Sequence, residues 1–173
     1  GIEALQAVIA AVPDGRPVIL DAKRGDIAST AEAYARTVFD TLGADAVTAS
    51  PLLGSDSLAP FMARPERGVF VLCKTSNSGA GEFQDLTVTP GPPESLYLRV
   101  ARRAQQWREQ NGADNIGLVV GATDPVALAR ARTAAPDLWF LAPGVGAQGG
   151  DLATAMTAGL RADGLGLLVT VSR

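Results

Sequence analysis

Along this chain of 173 residues, short apolar runs rich in β-branched residues alternate with stretches whose apolar positions recur every three or four residues. The first pattern predicts strands over residues 17–23, 46–50, 68–75, 116–121, 138–142 and 166–171. The second predicts helices over 2–12, 30–42, 58–63, 94–110, 125–134 and 152–160. Strand and helix in regular alternation are the signature of βα units around a parallel sheet. Local signals agree: Asp124-Pro125 offers an N-cap followed by proline at the first helical position, and Gly43 and Gly112 stand where a helix-ending glycine belongs. The one long irregular stretch, 76–93, is rich in Gly, Pro, Ser and Thr, a composition and length typical of a lid or a disordered loop.

Six strands leave two architectures open, because a closed (β/α)8 barrel needs eight strands and typically about 250 residues. One is an open doubly wound sheet; the other is a barrel lacking its first two units. The chain starts at Gly1, already inside the helical pattern Ile2-Glu3-Ala4-Leu5-Gln6-Ala7-Val8-Ile9, and stops on a strand-like run at Arg173. Both ends look cut, which favours an α/β fold of the (β/α)8 TIM-barrel type with the first two strands absent. Residues 1–173 are expected to form one N-terminally incomplete domain.

Composition narrows the chemistry. There is no histidine and one cysteine, Cys73, set in the apolar run Val69-Phe70-Val71-Leu72 and expected to be a small buried hydrophobe. A His/Cys metal site, a Ser-His-Asp triad and a Cys-His pair are all excluded. A net charge of −3 gives no attraction to nucleic acid or anionic lipid. No internal disulfide is possible, which suits a reducing, cytoplasmic compartment. No apolar run approaches the roughly 20 residues of a membrane span.

The segment Val18-Ile19-Leu20-Asp21-Ala22-Lys23-Arg24-Gly25-Asp26-Ile27 carries the strongest chemical signal. Alternation along a strand puts Val18, Leu20 and Ala22 on one face and Ile19, Asp21 and Lys23 on the other. In a barrel the second face points inward, with Asp21 and Lys23 at the C-terminal end of the strand, where barrel enzymes keep their catalytic residues. On pattern alone a structural ion pair at a strand end accounts for the same residues. A cluster of two carboxylates and one ammonium in a partly dry mouth is also the kind of group that is found at functional sites.

The string Asp21-Ala22-Lys23-Arg24-Gly25-Asp26-Ile27, followed by Ser29-Thr30-Ala31-Glu32-Ala33-Tyr34-Ala35, resembles the Asp-x-Lys-x-x-Asp block of the orotidine 5′-monophosphate decarboxylase suite, in the form of the bacterial type 2 branch of the decarboxylases. Three further blocks resemble the same family in the same order. Thr75-Ser76-Asn77-Ser78-Gly79-Ala80 is similar to the loop after the fifth barrel strand, with Ser78 standing where members usually carry proline. Pro143-Gly144-Val145-Gly146-Ala147-Gln148-Gly149-Gly150 is similar to the loop after the seventh strand. Val169-Thr170-Val171-Ser172-Arg173 is similar to the eighth strand and its terminal arginine.

The resemblance implies conversion of orotidine 5′-monophosphate to UMP in pyrimidine biosynthesis, without metal or cofactor. Lys23 would stabilise the carbanion left by loss of CO₂ and then protonate it, held charged by Asp21 and Asp26. Ser76 would contact the pyrimidine amide, Gln148 and Arg173 would bind the phosphate, and Pro143 would be a further substrate-binding residue. Asp26 and Thr30 would cross to the site of a second copy, implying a homodimer. The family's aspartate after the first strand and lysine after the second have no counterpart here, so the chain as given is expected to be inactive alone. Two alternatives stand beside this one. The first is a Mg²⁺-dependent sugar-phosphate enzyme of the same suite, a keto-gulonate phosphate decarboxylase or hexulose-phosphate synthase. The second is a phosphate-binding fragment without catalysis.

Overall fold

A computed structural model describes residues 1–171, and the chain divides into two compact units, residues 1–70 and 71–173. The first unit begins with helix α1 (Ile2–Ala10), which buries none of its residues. Strand β1 (Ile19–Arg24) follows, then α2 (Ala28–Arg36), which widens into a π turn over Thr37–Thr41. Strand β2 (Ala46–Ala49), helix α3 (Ser55–Met62) and the start of β3 (Gly68–Lys74) complete it.

Burial explains these elements. Ala31, Ala35, Val38, Phe39 and Leu42 are buried at helical spacing, and they meet Leu58, Phe61 and Met62 of α3, with the Phe39 and Phe61 rings edge to face at 6.4 Å. The pattern predicted one helix over 30–42; the wider π turn at its end lets Val38, Phe39 and Leu42 all face the core. β1 and β2 run parallel, with Ile19 opposite Ala46 and Leu20 opposite Val47. From there β1 advances to Arg24 while β2 advances only to Ala49, so β1 is bulged across Asp21–Lys23.

The second unit takes up β3. After it come a 3₁₀ turn over Ser78–Ala80, α4 (Gly81–Gln84), and the two-residue strands β4 (Thr87–Val88) and β5 (Glu94–Ser95), which pair antiparallel. The stretch 76–93, read as a lid or disordered loop, therefore carries short ordered elements, too brief to leave a period in the sequence. Helix α5 (Leu96–Asn111), β6 (Ile116–Val120), α6 (Pro125–Ala134), β7 (Trp139–Ala142), α7 (Leu152–Gly159) and β8 (Leu167–Val169) complete the alternation.

β6, β7 and β8 are parallel neighbours, Leu118 pairing Phe140 and Phe140 pairing Leu167, and the Gly121 N–H donates to the Lys74 carbonyl at the end of β3. Every residue of β6 is buried, as expected of a strand covered on both faces. Asp124 caps α6 as predicted, its carboxylate accepting from the Ala127 N–H at 2.9 Å. Gly112 ends α5 in the left-handed conformation. All six predicted strands are present, each within two residues of its expected start.

Candidate active site

In the first unit Asp21 and Lys23 are exposed at the end of the charged strand, with Ala22 and Arg24 half-buried, and the bulge there replaces the regular alternation expected of the segment. Lys23 Nζ donates to Asp21 Oδ1 at 2.7 Å. The same oxygen accepts from the hydroxyl of Thr48 at 2.8 Å, and that hydroxyl accepts the backbone N–H of Lys23 at 2.9 Å. Thr48 is fully buried in β2, so both charged residues are tied to a fixed point.

Burial alone would raise the Asp21 carboxyl. Hydrogen bonds from Lys23 and Thr48, with the charge of Lys23, outweigh that and hold it below the ordinary aspartate value. Lys23 sits at φ 47°, a left-handed conformation uncommon outside glycine. The bulge and this backbone together aim its side chain back onto Asp21.

Asp26 lies beyond the strand, half-buried, its carboxylate accepting from the Ile27 N–H at 2.8 Å rather than from Lys23. Thr30 is exposed in the first turn of α2. Between them and β1, the Arg24 guanidinium stacks 4.9 Å from the Tyr34 ring centroid, fastening the loop to α2.

In the second unit the structure joins two of the predicted residues. Ser76, just past β3, donates to Gln148 Oε1 at 2.7 Å across 72 positions of sequence. Pro143 follows β7 and its carbonyl accepts the Ala122 N–H at 2.8 Å. Gly144 makes the junction possible. It has φ +103°, and a methyl there would fall 2.9 Å from Thr123 Cγ2 and 3.1 Å from Ser76 Cβ. Arg173 lies outside the described residues.

Sequence reasoning missed Thr48, which left a faint signal as the polar member of the apolar run Ala46-Val47-Thr48-Ala49. Arranged this way, the first unit presents an ammonium on a fixed carboxylate, suited to stabilising negative charge and delivering a proton. The second presents a serine hydroxyl and an amide beside a glycine-rich loop, suited to polar groups of a ligand.

The model of the family described as "Orotidine 5'-phosphate decarboxylase / HUMPS family" matches residues 3–173. A protein of Roseiflexus castenholzii named orotidine 5′-phosphate decarboxylase is 57% identical over all of this chain and 62% of its own length. One of the same name from Thermomicrobium roseum is 58% identical over all of this chain and 60% of its own length. The chain thus spans about three-fifths of the curated relatives it matches.

Among solved structures, the OMP decarboxylase of Leishmania donovani superposes with a TM-score of 0.89 at 58% identity, covering 99% of this chain and 64% of that one. The UMP synthase of the same organism gives 0.92 at 60% identity, over 98% of this chain and 37% of that one. These neighbours are TIM barrels, and the fold class is theirs. With a family model matched over residues 3–173 and relatives 57% and 58% identical along all of this chain, the chain belongs to the orotidine 5′-phosphate decarboxylase / HUMPS family.

Proposed function

We propose that these residues form part of an enzyme that decarboxylates orotidine 5′-monophosphate to UMP, a step of pyrimidine biosynthesis. The observation that carries the proposal is the Lys23–Asp21 pair, 2.7 Å apart at the C-terminal end of a parallel strand and anchored on buried Thr48. In the reaction the bond from C6 to the carboxylate breaks, CO₂ leaves, and the electron pair remains on C6. The Lys23 ammonium meets that developing charge and then passes its proton to C6, giving UMP. Ser76 is assigned to the pyrimidine amide, Gln148 and Arg173 to the phosphate, and Pro143 to substrate binding. The guanidinium suits the phosphate because it can bind two oxygens at once.

The chemistry is proposed to need neither metal nor cofactor. Asp21 Oδ1 is committed to Lys23 and Thr48, and the sequence offers no histidine. Activity of the full-length protein is expected to survive exhaustive EDTA treatment. Loss on chelation with rescue by Mg²⁺ would instead place it with the sugar-phosphate enzymes of the suite.

A homodimer is part of the same reading. Ile27, Leu52 and Leu53 are 56%, 75% and 48% exposed in the segments that follow the paired strands β1 and β2, apolar surface that a second copy would cover. A cytoplasmic setting fits a single buried thiol. The decisive experiment is Lys23→Ala in the full-length protein. Nucleotide binding should persist while turnover falls by more than the roughly 10²–10³ typical of losing one preorganised donor. Turnover within tenfold of wild type would remove Lys23 from the chemistry.

A further inference from the structure

Lys74 is the one charged residue that is buried among the described residues, 6% exposed at the C-terminal end of β3. Its Nζ reaches Asp85 Oδ1 at 2.6 Å and lies 5.6 Å from the centroid of the Tyr97 ring. The next residue repeats the gesture. The Thr75 N–H donates to Gln84 Oε1 at 2.9 Å, and Gln84 Nε2 donates to the Thr75 hydroxyl at 3.0 Å. Two consecutive residues at the start of the segment 76–85 thus grip two consecutive residues at its end. Between them lies the 3₁₀ turn, and α4 closes the segment with Gln84 as its last residue.

Ser76 is the first residue inside this clasp. Its backbone packs so closely on Gly121 that a methyl there would fall 3.0 Å from Ser76 Cα, and its hydroxyl donates to Gln148, which leaves the oxygen's lone pairs to accept from a ligand N–H. A buried ammonium is an expensive way to hold a loop, since an apolar side chain of the same volume would pack without desolvating a charge. What the ion pair adds is direction. It fixes where the far end of the segment returns to β3, and with it the path of the chain through Ser76.

We propose that Lys74, through Asp85 and the adjoining Thr75–Gln84 pair, is a positioning residue that sets the Ser76 hydroxyl for the pyrimidine of the substrate. The proposal rests on the functional reading above. The test is a double-mutant cycle in the full-length protein, with kcat/KM for orotidine 5′-monophosphate measured per titrated, folded site. Ser76→Ala and Lys74→Met should each lower kcat/KM by about tenfold, the scale of one lost hydrogen bond. The double variant should fall no further, because both changes remove the same interaction.

A lysine that merely stabilises the fold would lower the yield of folded protein and the melting temperature. It would leave kcat/KM per site unchanged, or add its effect in full to that of Ser76→Ala; either outcome overturns the proposal. Should Lys74→Met not fold, Asp85→Asn makes the same test from the half-exposed side of the pair. Failure of the functional reading has a different signature. There, wild type shows no decarboxylation, and both proposals fall together. An active wild type that is sensitive to Ser76→Ala yet indifferent to Lys74→Met and Asp85→Asn overturns the positioning role alone.

Discussion

Thr48 performs two tasks with one hydroxyl. The bulge in β1 takes Lys23 out of the regular ladder, so its N–H has no carbonyl opposite and turns to Thr48 Oγ1, while the hydroxyl proton goes to Asp21. Thr48→Val keeps the shape and removes both bonds. Leaving that N–H unpaired is expected to cost about 1–3 kcal/mol of stability, read from a denaturant midpoint, and turnover should fall about tenfold as Asp21 loses its anchor. Thr48→Ser should retain most of both. A threonine-to-valine change that is neutral in both measurements would show the anchor to be idle. Strand alternation led to the expectation that Asp21 and Lys23 lie together, and they do so through a bulge and a left-handed Lys23 in place of a regular pleat. Their anchor was not legible, because which residue of β2 faces them depends on register and on a bulge that leaves no mark in the apolar pattern. Cys73 was fully legible: it is 2% exposed, its thiol donates to the Tyr97 carbonyl, and burial pushes the thiol up to about 12. The neutral thiol's contribution to stability is therefore complete below the ordinary thiol value and is lost as pH rises towards 12. Its reaction with a disulfide reagent at neutral pH should follow unfolding; labelling of the native protein at the rate of a free thiol would contradict the burial.

Among the elements, the long ones announced themselves and the short ones did not. Helices α5 and α6 have enough turns for a period and caps to see; β4 and β5, at two residues each, have neither. Their order comes from contacts distant in sequence, as when the Leu96 N–H donates to the Leu86 carbonyl. At the entry to α5, Glu94 is held by Arg99 at 2.7 Å and Arg102 at 2.8 Å, which together keep its carboxyl below the ordinary glutamate value. A depressed carboxyl stabilises the fold above its unfolded-state value, near 4.3, and that contribution is lost as pH falls through the folded value. The stability difference between wild type and Glu94→Gln should therefore shrink as pH drops below about 4. A difference that stays constant with pH would disprove the clamp. A second junction rests on Arg132. Its guanidinium donates to the carbonyls of Ala135, Pro136, Leu138, Gly159 and Gly166 and lies 3.7 Å from the Phe140 ring centroid. It binds the end of α6 to the starts of β7 and β8 and the end of α7. Lysine has neither the planar fork nor the stacking face, so Arg132→Lys is expected to cost about 3 kcal/mol, seen as a lower denaturant midpoint at unchanged slope.

At the scale of the whole molecule, the sequence pattern gave the class of fold and the order of its units, because parallel βα units write their alternation over the full length of the chain. Partners are harder to read, since a surface covered by another copy obeys the same rules as a core. Ile27, Leu52 and Leu53 are exposed apolar residues that the strand and helix periods do not explain. The dimer proposed here, with Asp26 and Thr30 completing the partner's site, makes a prediction that no monomer can imitate. Full-length Lys23→Ala and Asp26→Ala should each be inactive as homodimers. After mixing under conditions that exchange subunits, half of the dimers should be mixed. In each of these, one site would combine an intact Lys23 with an intact Asp26 from the other copy, and the second site would carry both lesions. Activity should then return to about a quarter of wild type, the product of those two halves in a twofold-symmetric assembly. If Asp26 served the Lys23 of its own chain, every site in every mixture would carry one lesion and mixing would restore nothing. The regained activity, or its absence, therefore decides whether Asp26 acts across the interface.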